Sequence, residues 1–143
     1  MKTLFVTVLL ALTLYANNTS EIKAKIIINI AHLIMPEKTT AIQVYNTDHY
    51  FNDIFTTDYA LKKVKDYHEA DIILTNDSSK FRDYVKTHNV TIISTKYQDY
   101  KNNQTIDECA FFWQKGRPNI LLNSKIFQLK KIKIPKSFAQ YMD

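Results

Sequence analysis

The sequence predicts an α/β fold: a Rossmann-like three-layer sandwich with a mostly parallel sheet and an antiparallel C-terminal hairpin. Two observations carry most of this. Short apolar runs free of glycine and proline, such as Ile72–Thr75 and the VTIIST run at 90–95, alternate with stretches of helical periodicity. That alternation is what parallel strands joined by helical crossovers require. The other observation is residues 107–123, DECAFFWQKGRPNILLN, two apolar runs flanking a polar turn. Cys109, Phe111 and Trp113 point one way along the first run, and Ala110 and Phe112 the other. A strand apolar on both faces is covered on both faces.

The elements follow in order. Ile22, Ile26, Ile30 and Leu33 recur at helical spacing, widened by Ile27, Ala31 and Ile34, while Lys23, Lys25, Asn29 and His32 mark the other faces. Ser20 is a candidate cap for this helix and Pro36 its stop. AIQVYN at 41–46 reads as the first strand. Asp48 can cap a short helix, HYFNDIF, and residues 62–66 suggest a second strand. Ile72–Thr75 is a buried strand. Asp77 or Ser78 caps SSKFRDYVKTHN, in which Phe81 and Val85 share a face. After the strand in VTIIST, residues 96–105 read as a polar loop leading into the hairpin. Gly116, the only glycine in the chain, is expected at positive φ in the hairpin turn. Pro118 suits a strand start, since it has no N–H for a ladder. Asn123 or Ser124 caps KIFQLKK, with Ile126 and Leu129 inward, and Pro135 opens a closing helix.

Composition narrows the function. The opening MKTLFVTVLLALTLYA has a basic Lys2, an apolar core and a small residue at a plausible cleavage point, so residues 1–16 read as a secretory signal peptide. Its apolar run falls short of the ~20 residues a membrane span needs. Residues 17–143 then form one exported α/β domain. With a single glycine, neither GxGxxG nor a P-loop exists to wrap backbone N–H groups around a phosphate. The net charge is +5, and lysines gather at 125, 130, 131, 133 and 136. They read as a solvated face, and export argues against nucleic acid as partner. Cys109 is the sole cysteine. It is either buried or paired between chains, and its neighbours Phe111 and Trp113 favour burial. The four histidines are scattered without HxH or HExxH, and Asp48–His49 and His68–Asp71 read as caps or turns. No catalytic residue, cofactor site or metal site emerges.

Laid end to end, these motifs resemble the YfiR family of periplasmic regulators. The first helix, Lys23 to Ile34, is similar to that family's KAAFIYNFAKFVEWP, and Gln43 to Phe51 to its GVLGDDPF strand. Ala70 to Asn76 looks like its CHVLFIS strand. Asn119 to Asn123, then Lys131 to Ile134 and the last helix, look like its RFEIN…AGLKISSQLLKLA ending. Three departures stand out: Pro36 lies one residue early with no tryptophan before it, the glycine pair before the hairpin is replaced near Asp107 and Glu108, and Ala70 stands where the family has a cysteine. The family-type disulfide therefore cannot form here.

The resemblance implies a non-enzymatic protein, without cofactors, that holds the periplasmic sensor domain of a membrane diguanylate cyclase inactive and so restrains cyclic-di-GMP signalling and biofilm. A sensor kinase is the variant partner, and homodimerisation is left open. Such a role needs only differential affinity for two states of the partner. Aromatics and arginine make the strongest anchors, which singles out Trp113, Lys115 and Arg117 at the hairpin end as partner-binding residues. The rivals are a small-ligand binder resembling one lobe of a periplasmic solute-binding protein, and an enzyme using Cys109.

Overall fold

A computed structural model describes residues 19–143; the expected signal peptide lies outside them. Six strands form one sheet: β1 (Ile42–Asn46), β2 (Leu61–Lys63), β3 (Ile72–Thr75), β4 (Thr91–Ser94), β5 (Cys109–Gln114) and β6 (Arg117–Leu122), in the order β2-β1-β3-β4-β5-β6. Every neighbouring pair is parallel except β5 and β6, which form the antiparallel hairpin. The α/β class expected from the sequence is the one observed.

Strand composition explains the layering. β3 and β4 are buried along their whole length, so alternate side chains feed two cores. Ile72, Leu74 and Ile93 join Val44, Phe111 and Leu122 in the larger core, under helix α1 (Thr19–Ile34) and α4 (Ser124–Leu129). Ile73 and Ile92 join Phe81 and Val90 in the smaller one, beside α2 (Arg82–Thr87). Phe111 lies at the centre of the larger core, its ring 5.4 Å from that of Phe51.

Several local expectations are corrected. Ser20 lies inside α1, which already begins at Thr19. Lys23 does not mark a solvent face. It is 2% exposed, with its ammonium 2.9 Å from Asp53 and 4.0 Å from the Tyr50 ring centre, and it donates to the Tyr50 carbonyl. A lysine stem can lie on apolar surface when its head finds partners, and here the head pins α1 to the following 3-10 segment, His49–Thr56. That segment takes the place of the helix expected there, with Asp48 as its cap: the carboxylate accepts from the Tyr50 N–H. The second strand starts one residue earlier than expected and ends at Lys63. Residues 96–105 are not simply a loop, because Tyr97–Asn102 forms helix α3. Leu129 does not face inward. It is 82% exposed, and Phe127 fills the core instead. Asn123 is the cap of α4, accepting from the Ile126 N–H. Pro135 precedes a 3-10 turn, Lys136–Tyr141. No described helix is long and apolar enough to cross a membrane.

Candidate functional site

The hairpin end is built by a two-residue turn. Lys115 and Gly116 both adopt positive φ, 53° and 71°, which is the pattern of a type I′ turn whose twist matches the strands it joins. Glycine takes this conformation freely, but lysine pays for Cβ crowding, by about 1–2 kcal/mol. Lys115→Asn, a residue suited to that position, is therefore expected to raise stability by about 1 kcal/mol in urea unfolding. Gly116 has nothing within 4 Å of an added Cβ, so Gly116→Ala is strained by backbone conformation alone.

The register separates the three residues singled out in the sequence. Gln114 faces Arg117 and Trp113 faces Pro118. Trp113 shares a face with Phe111 and packs, half-buried, on the larger core, its ring 6.4 Å from those of Tyr50 and Phe111. Arg117 lies on the opposite face with Gln114, Phe112 and Asn119. Phe112 is only half covered there, by a ring 5.7 Å away on Tyr97, itself exposed. Gln114, Lys115, Arg117 and Asn119 line a shallow depression at this end. Lys115 and Arg117 are exposed and make no ion pair among the described residues. Two free cations thus flank an incompletely covered aromatic face, while Trp113 braces the hairpin from beneath.

A layered α/β sheet offers another place for chemistry, the C-terminal ends of its parallel strands where the strand order reverses. Here that is the β1/β3 end. Its polar side chains are paired with one another. Thr47 donates to the Thr75 hydroxyl at 2.8 Å, and Thr95 to Asp48 at 2.7 Å. Asp99 accepts from the Ser78 N–H and hydroxyl, from Ser94 and from the Asn103 amide. Arg82 donates to Asn103 at 2.7 Å and to Thr105. A small ligand bound at this end would have to compete with these bonds.

Neither Asp99, on a helix where the sequence reads as loop, nor Asp107, near it in space, carries a local sequence signal. Asp107 is fully buried and neither carboxylate oxygen has a hydrogen-bond partner. Burial pushes its carboxyl up to about 8, with Asp99 and Glu108 adding to the shift and Ser78 and Arg82 opposing it. The Ser78 hydroxyl is already committed to Asp99 at 2.7 Å. Glu108 is also buried and raised, chiefly by desolvation, but Lys130 pairs with it. Cys109 is buried as its neighbours suggest, and burial pushes its thiol well up, with the two acids adding. A thiolate nucleophile wants an electropositive, part-exposed setting, and this environment is the reverse.

Asp66 caps the 3-10 turn Tyr67–Glu69 and meets the His68 ring at 2.6 Å. His68 and His88 both pack against the Tyr84 ring. Among the described residues no three histidine, cysteine or acidic side chains group so as to hold a metal ion. Comparison with protein-family models, with curated proteins and with solved structures gives no significant match.

Proposed function

We propose that this chain is an exported regulatory protein that acts by binding, with the end of the β5–β6 hairpin as its contact surface. Its partner is the periplasmic sensor domain of a membrane signalling protein, a diguanylate cyclase or a sensor kinase. One observation carries the reading: Lys115 and Arg117, which make no ion pair among the described residues, stand beside the half-covered Phe112 and the exposed Tyr97. Arginine and aromatic groups at the centre of a contact supply most of its energy. The resemblance to periplasmic regulators supports the class of partner. Arg117→Ala is expected to weaken capture of the sensor domain roughly tenfold or more, with thermal unfolding unchanged because the side chain is exposed and makes no ion pair among the described residues. Equal capture by the mutant removes the hairpin from the proposal.

A further inference from the structure

The hairpin leaves one sheet edge open. The two-residue turn makes Gln114–Arg117 the hydrogen-bonded pair that closes the hairpin, and alternation gives Phe112–Asn119 and Ala110–Leu121 the same status. The Asn123 N–H donating to the Glu108 carbonyl at 2.9 Å continues that series. Pro118, Ile120 and Leu122 then occupy the intervening pairs, and their backbone groups point away from β5 toward the edge. Leu122 already has a neighbour there, a parallel bridge to Met142, with the Asp143 N–H on its carbonyl at 2.9 Å. Pro118 has no N–H to offer. What stays unpaired among the described residues is the N–H and carbonyl of Ile120 and the carbonyl of Pro118. A protein strand can use such groups, and its own chain already does so one pair further on.

The charge around this edge is one-sided. Between Glu108 and Asp143 there is no acidic residue, yet the stretch holds six lysines and one arginine. Lys130 is paired with Glu108. Lys115, Arg117, Lys125, Lys131, Lys133 and Lys136 are all exposed and make no ion pair among the described residues. The Lys136–Tyr141 turn contacts β6 and Met142 bridges to Leu122, so part of this charge lies beside the edge strand. An anionic lipid surface would satisfy the lysines but not the open backbone of Ile120. An acidic polypeptide strand satisfies both.

We infer that β6 takes an extended, acidic segment of the partner protein as a seventh strand, paired through Ile120 and steered by Lys115 and Arg117. This rests on the hairpin-binding reading above and specifies the partner's chemistry. The test uses the secreted protein and a blocked decapeptide of alternating glutamate and valine, with titration followed by fluorescence anisotropy. Binding is expected, weakening steeply with added salt. N-methylation of the peptide on alternate residues, in the register that removes the paired N–H groups, is expected to lower affinity at least tenfold, whereas methylation in the other register has little effect. On the protein side Ile120→Pro removes the one open N–H without touching the β5–β6 ladder, and should have a similar effect on both peptide binding and sensor-domain capture.

Equal affinity for both N-methylated registers overturns strand pairing, even if Ile120→Pro fails to fold. Adsorption to phosphatidylglycerol vesicles with no affinity for the peptide overturns it in favour of a lipid surface. If Ile120→Pro captures the sensor domain normally while Arg117→Ala does not, strand addition fails and the hairpin-binding reading stands. If neither substitution weakens capture, both fail.

Discussion

Asp107→Asn is expected to raise the melting temperature at pH 8 and to flatten the pH dependence of stability. Asp107 is fully buried with both oxygens unpartnered, and its carboxyl titrates at about 8 in the folded chain against an ordinary value of 3.8. A folded-state pKa above the unfolded one means that the native state holds the proton more tightly. The stabilisation is therefore complete below about pH 4, is lost progressively as pH rises, and is gone above about pH 8. Within that window each pH unit costs about 1.4 kcal/mol. Relaxation around a buried acid reduces the total, which leaves an effect on the order of 2–4 kcal/mol, or roughly 8–15 °C in Tm. Asparagine carries no charge at any pH, so the variant should gain this amount at pH 8 and little at pH 4. Glu108 is raised in the same direction and accounts for any slope that persists in the variant. Parallel Tm–pH curves for the two proteins would show that Asp107 is not the group responsible.

Asp-Glu before CAFFW looks like the solvated entry to a strand, and nothing local distinguishes a buried aspartate from an exposed one. The groups around the Asp107 carboxylate, Asp99 on α3 with Ser78 and Arg82, come from segments distant in the chain, and α3 has no cap signal: its first turn follows Lys96, which makes no side-chain cap. A six-residue polar helix gives too few turns for apolar periodicity to show. The burial of Lys23 is hidden in the sequence for a related reason. Its neighbours along α1 are polar on one side, but the Asp53 and Tyr50 groups that receive its ammonium come from another element. By contrast, strands β1, β3, β4, β5 and β6 were legible because each is an unbroken apolar or alternating run, and Gly116 because a tight turn tolerates few other residues. In the candidate site, the sequence identified the hairpin but not its two faces. That Trp113 and Arg117 diverge follows from strand alternation once the turn is known to hold only Lys115 and Gly116.

Asp99→Ala is the polar substitution expected to destabilise the fold most. Its carboxylate accepts from the Ser78 N–H at 3.1 and 3.2 Å, from the Ser78 hydroxyl at 2.7 Å, from Ser94 at 2.6 Å and from the Asn103 amide at 3.0 Å. Ser78 follows β3, Ser94 ends β4 and Asp99 itself rides on α3, so one side chain ties three segments on one side of the sheet. Ser78 and Ser94 are fully buried, and water cannot replace the lost acceptor without entering the core. Each unsatisfied buried group costs about 1–3 kcal/mol; with partial relaxation the sum is about 4 kcal/mol. Asp99→Asn keeps the shape and one acceptor oxygen, and serine hydroxyls can turn to accept from its amide, so about 1–2 kcal/mol is expected. Asn also removes a negative charge that helps raise Asp107. The midpoint of the stability–pH curve should accordingly move to lower pH in Asp99→Asn, a shift that a purely steric defect would not produce. Urea unfolding at several pH values reads both effects. Equal losses for Ala and Asn, with an unmoved midpoint, would mean that Asp99 neither holds these segments together nor acts on Asp107.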